Sequence, residues 1–101
     1  RSYWGRMVES AVGAHLYNSR RSDCQIQYWR ASPYEVDFVI SRGRNLSLVE
    51  VKSSAKSTSS VSQVGAFAEF ERQFGACSKH LVGDGGVSVA EFLSYPAEHW
   101  L

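Results

Sequence analysis

The hydrophobic periods along the chain predict an α/β fold: a central mixed four-stranded sheet flanked by helices, in the order helix, three strands, helix, strand. Two observations predict it. Apolar residues recur at helical spacing over Tyr3 to about Arg20 and again from about Ser59 to Phe74. Between and after those stretches lie short segments rich in Val, Ile, Leu and Phe, bounded by turn residues. The three consecutive strand segments form an antiparallel meander. The last strand, reached through a helix, implies a parallel pairing with a right-handed crossover. The length of 101 residues suits a single small domain, 1–101, with one core.

The bulk composition is that of an ordinary globular chain, 44% hydrophobic and 21% charged. A net charge of +1 gives no general pull toward polyanions, so the placement of basic residues matters more; Arg20-Arg21 and Arg42–Arg44 are the clusters. No apolar run reaches membrane-spanning length and no signal peptide is visible, which gives the expectation of a cytoplasmic protein. The chain begins with Arg1 rather than Met and is expected to be a piece of a longer protein. Cys24 and Cys77 have no metal-ligand spacing and are expected to be buried free thiols. His15, His80 and His99 are scattered without a zinc pattern.

In the first helix, Trp4, Val8, Ala11, Val12, His15 and Leu16 form the apolar face. Gly5, Glu9 and Gly13 are four apart and stack on one side, so small residues above and below Glu9 allow close approach to a sheet with the carboxylate aimed at it. The alternative for Glu9 is a solvent-facing position. Asn18–Asp23 ends the helix. Cys24–Arg30 alternates as a strand with one face on a core, and Ala31–Tyr34, with Pro33, turns into the next strand. After the hairpin described below, Ser53–Ser60 is a polar connection. Val61, Val64, Phe67, Ala68, Phe70 and Phe74 stripe the second helix, and Gly75 is placed to cap it. Cys77–Val82 is the fourth strand. Gly83-Asp84-Gly85-Gly86 reads as a turn, since no lysine or helix-opening pattern makes it a P-loop. Val87–Leu93 leads into a short helix that Pro96 stops, and Trp100-Leu101 packs back on the body.

Glu35–Lys52 is the stretch that carries chemistry. Strand segments Val36–Ser41 and Leu46–Val51 flank a turn at Arg42-Gly43-Arg44-Asn45. If Ser41 pairs with Leu46, Asp37 faces Glu50, and Lys52 lies two residues along the same face. Val36, Phe38, Ile40, Val49 and Val51 then form the opposite, core face. Opposed like charges are destabilising unless a protonated carboxyl, Lys52 or a divalent cation relieves them. Mg²⁺, which favours carboxylate oxygens, is one such cation. The alternative is an exposed ion cluster on an amphipathic hairpin.

The element order, with Asp37 followed by Glu50-Val51-Lys52, resembles the PD-(D/E)XK nuclease superfamily, the restriction-endonuclease-like fold. The chain is most similar to the branch found as an uncharacterised domain at the C-terminus of bacterial and archaeal AAA+ ATPases, through Gly5–Glu9, Glu35–Phe38 and Glu50–Ser54. The resemblance implies an αβββαβ core and a nuclease-like domain that hydrolyses phosphodiester bonds in DNA. Asp37 and Glu50 would bind Mg²⁺ or Mn²⁺, Lys52 would activate water and stabilise phosphate charge, and Glu9 would complete the site. It further implies an ATPase domain of the same chain as partner. Gln63 matches a glutamine of some members, and Arg42, Arg44 and Lys56 are expected to flank the site and contact backbone phosphates. The proline before the aspartate is replaced: Val36 precedes Asp37, and Pro33 lies four residues earlier. The competing expectation is a catalytically silent accessory module that binds nucleic acid or protein.

Overall fold

Strand residues alternate between two faces of one sheet, and a helix covers each face. The computed structural model describes residues 3–52 and 58–101, with the side chains of all of these except 58–64. In chain order the elements are α1 (Tyr3–Ser19), β1 (Gln25–Ala31), β2 (Tyr34–Arg42), β3 (Asn45–Lys52), α2 (Thr58–Phe74), β4 (Ser78–Gly83), a one-turn α3 (Val89–Phe92) and a 3₁₀ turn at Ala97–Trp100. The sheet order is β1-β2-β3-β4, antiparallel through the first three strands and parallel between β3 and β4. This is the predicted α/β architecture. The segment 53–57, with Lys56, lies outside the described residues, as does the side chain of Gln63.

The β2–β3 register matches the expectation, with Ser41 opposite Leu46 and Phe38 opposite Val49. The turn is tighter than predicted. Arg42 and Asn45 still pair, which leaves only Gly43-Arg44 as the loop. Gly43, at φ +60°, takes the first central position, where a two-residue hairpin loop of type II′ needs a positive φ.

Two apolar clusters fill the two sides. On the α1 side Val8, Val12 and Leu16 meet Ile40, Val49, Val51, Val82, Phe92 and Trp100, all buried. On the α2 side Val36, Val39 and Leu48 meet Ala66 and Phe70. This corrects two expectations. The sheet has cores on both faces, and Trp29 of β1 packs edge-on against Phe70 with ring centroids 5.2 Å apart. Val36 also belongs to the α2 side, not with Phe38 and Ile40. The physical reason is a bulge. Gln27 pairs with Val39 but Trp29 pairs with Val36, so Tyr28 alone spans Asp37 and Phe38, and the alternation slips by one residue there.

The C-terminal segment closes the α1 side, as expected of Trp100. Its ring stacks on Phe92 at 4.6 Å, and its carbonyl accepts hydrogen bonds from the buried Ser47 hydroxyl (2.7 Å) and from His80 Nε2 (2.5 Å). Cys24 is a buried free thiol and Cys77 a half-buried one.

Candidate active site

Asp37 and Glu50 are buried, 4% and 8% exposed. An exposed ion cluster on an amphipathic hairpin is therefore excluded. The regular β2–β3 ladder ends at Phe38 and Val49, and beyond it the two carboxylates take over the bonding. The Asp37 backbone N–H donates to Glu50 Oε1 (3.1 Å), and the Val51 N–H donates to Asp37 Oδ2 (2.9 Å). Each acid thus braces the other's strand. A backbone N–H is a strong partner for a carboxylate, so main-chain donors relieve part of the like-charge repulsion that the sequence alone left to a proton, Lys52 or a cation. The bulge explains why this happens at Asp37: two residues against one bend the strand and re-aim its side chains, a device common beside active sites. Nothing in the one-dimensional pattern signals it.

Lys52 follows Glu50 by two residues at the C-terminal end of β3 and is half-buried. The turn after β4 clamps this point. Asp84 N–H donates to the Lys52 carbonyl (3.2 Å). Gly83, at φ +112°, lies so close that a Cβ would come 1.9 Å from the same oxygen. Gly83 and Asp84 are thus structural partners of Lys52. The sequence showed them only as turn residues, because the parallel register that brings Gly83 beside Lys52 is not local.

Glu9 is half-buried on α1. The helix does approach the sheet closely, as its glycines led one to expect: a Cβ on Gly13 would lie 2.8 Å from the Phe38 ring. Among the described residues, no group of three or more His, Cys, Asp or Glu side chains is placed to hold a metal ion. Arg42 and Arg44 do not flank the pair. They lie at the turn end of the hairpin, where Arg42 is five residues, or about 17 Å, along β2 from Asp37. There they line a separate cavity of about 470 Å³ with Cys77 and Glu98.

The donor set fits a hard cation. Two buried carboxylates suit Mg²⁺ or Mn²⁺. A carboxylate has about four acceptor directions, so accepting one N–H does not preclude ligation. Thiol chemistry finds no support: burial pushes the Cys24 and Cys77 thiols up, away from the reactive thiolate.

A second cavity, of about 330 Å³, opens at the C-terminal ends of β3 and β4 and is bordered by α1, Lys52 and Asp84. No described helix is long and apolar enough to cross a membrane. No curated protein matches the chain. Residues 4–92, from the first turn of α1 to the end of α3, match the model of a family described as Domain of unknown function (DUF4143). That span contains every element that shapes the acid pair, and the chain belongs to this family.

Proposed function

We propose that the domain is a metal-dependent nuclease of the PD-(D/E)XK type, hydrolysing phosphodiester bonds in DNA. One observation carries the reading: a buried, cross-braced pair of carboxylates lies two residues from a half-buried lysine whose backbone is clamped in place. Asp37 and Glu50 would hold Mg²⁺ or Mn²⁺. Such an ion, when bound, supplies a Lewis acid for the phosphoryl oxygen and a more acidic water. Lys52 contributes a cation beside the scissile phosphate, where it offsets the negative charge that grows in the transition state. Burial of the acids keeps bulk water from competing for those interactions. Following the sequence resemblance, an AAA+ ATPase domain of the same polypeptide would be the partner.

The test is cleavage of single- and double-stranded DNA with Mg²⁺ and with Mn²⁺. Lys52→Ala is expected to slow cleavage by about 10²–10³, the usual loss for one positioned charge-stabilising group. Absence of cutting with either metal, or an unchanged rate in Lys52→Ala, overturns the reading. Calorimetry supplies an independent readout: Mn²⁺ should bind the wild type and bind Glu50→Gln more weakly. A wild type that binds DNA but neither Mn²⁺ nor Mg²⁺ would be an accessory binding module instead.

A further inference from the structure

We infer that the cavity at the hairpin turn binds a phosphate ester through Arg42 and Arg44, at the end of the sheet opposite Lys52. The site uses neither acid and stands apart from the nuclease reading. The two basic clusters lie far apart in sequence, and the fold brings them to one end. Gln25, which opens β1, pairs with Ser41 beside Arg42. The Arg21 N–H donates to the Glu98 carboxylate, which lines the cavity. Burial and then Glu98 push the Cys24 thiol up while Arg42 and Arg20 pull it down, so both guanidiniums lie near that sulfur. A chain with a net charge of only +1 thus gathers its positive charge at this end. Arg20 is occupied on the Tyr17 ring, 4.0 Å from its centre, which leaves Arg42 and Arg44 for a ligand. Among the described residues neither of these two forms an ion pair. Arg42 is half-buried, and a guanidinium withdrawn from water without a counter-charge is unfavourable.

A guanidinium fork suits both phosphate and carboxylate. The geometry of the cavity decides between them. Arg42 comes from the end of β2, Arg44 from the loop, Asn45 from the start of β3 and Ser78 from the start of β4. Donors that converge from three strands suit a tetrahedral group whose oxygens point in different directions; a carboxylate is planar. Glu98 adds a negative charge to the wall, with one oxygen taken by the Arg21 N–H. That charge disfavours a bare phosphate dianion and suits an ester whose organic part brings an N–H or O–H. Leu46 and Leu101 give the organic part an apolar wall. The volume of about 470 Å³ is in the range of small-ligand sites and exceeds the needs of an inorganic ion. A nucleotide has this chemistry, either free or as a unit of a strand.

The experiment is titration calorimetry in EDTA with adenosine monophosphate, inorganic phosphate and an oligothymidylate of about 15 nucleotides. The nucleotide should bind more tightly than inorganic phosphate. Arg44→Gln should weaken nucleotide binding about tenfold, the loss of one charge-assisted contact, and Arg44→Lys should restore part of it. Arg44 is exposed in the turn, so an unchanged melting temperature is expected in both variants. Arg42→Gln should weaken binding by a similar factor. Arg30→Gln removes the same charge at the other end of β1 and should change affinity less than about twofold. The oligothymidylate separates the two sources. Binding tighter than the nucleotide's, with a salt slope that falls by about one in Arg44→Gln, marks a strand backbone; binding no tighter marks a free nucleotide. Nucleotide affinity no greater than that for inorganic phosphate, an equal loss in Arg30→Gln, or polyglutamate bound more tightly than either phosphate ester overturns the inference. DNA cutting without Arg44-dependent binding of either ester would sink this site and leave the nuclease reading standing. Arg44-dependent binding without cutting under Mg²⁺ or Mn²⁺ would do the reverse.

Discussion

A methyl group added at position 13 would meet the Phe38 ring at 2.8 Å. Gly13→Ala is therefore a contest between two known terms. Alanine favours a helix over glycine by about 1 kcal/mol, and overpacking costs about 1–3 kcal/mol. The overlap is with a half-buried ring wedged between helix and sheet, so the second term wins and a net loss of about 1 kcal/mol is expected in urea unfolding. Phe38→Leu in the Gly13→Ala background should recover most of that loss, since the two residues share the contact. The acids at 37 and 50 show a different residue-scale lesson. Each is both a candidate ligand and a replacement for a ladder hydrogen bond. Removing one does not simply relieve repulsion, as the sequence alone suggested; it also leaves a buried N–H without its acceptor. Asn and Gln keep an acceptor oxygen and are the substitutions that separate ligation from bracing.

At the scale of elements, the last turns of α2 carry a pH-sensitive contact. Arg72 Nε donates to Glu69 Oε1 at 3.0 Å, and Gln73 Nε2 donates to Oε2 at 2.8 Å. These bonds, that of Arg72 first, pull the Glu69 carboxyl down from 4.5 to about 2. A folded value below the unfolded one means that the contribution is fully present above about 4.5 and drains away as pH falls toward 2. The group is solvent-screened, so the effect is modest. Urea midpoints at about pH 7 and about pH 3 should converge more in Glu69→Gln than in the wild type. The hairpin register was legible because a tight turn and alternating apolar residues leave one pairing that keeps both faces consistent. The bulge opposite Tyr28 was not, because alternation assumes one residue per partner. The run Leu48-Val49 was equally ambiguous: consecutive apolar residues arise when both faces are covered, and a sequence does not say which helix covers which face.

Across the whole molecule, the two ends of the chain meet on one side of the sheet. The His15 ring bonds to the Tyr95 carbonyl (2.6 Å), the Ser19 hydroxyl accepts from the Ala97 N–H (3.1 Å), and Trp100 fills the α1-side core. Trp100→Ala is expected to lower unfolding stability by about 3–5 kcal/mol, the cost of emptying a core aromatic site. A loss under about 1 kcal/mol in urea unfolding would show that the 3₁₀ turn is an ornament on an already closed core. The site was only half legible at this scale. The opposition of Asp37 and Glu50 followed from one hairpin, a local object. The remote position of Arg42 and Arg44 followed from the same hairpin, at about 3.3 Å per residue, but their charge drew attention before their distance did. The other walls of their cavity, from the start of β4 and the 3₁₀ turn, are distant in sequence and left no local trace.

The clamp at Gly83 has a mechanical corollary. With its carbonyl tied to the following turn and its backbone paired with Gly83 of β4, the Cα of Lys52 is an anchored pivot. The ammonium's reach is then set by the side chain's own torsions, like a boom on a stationary mast. Whatever approaches that end of the sheet must come to the lysine, because the lysine's base will not travel to meet it.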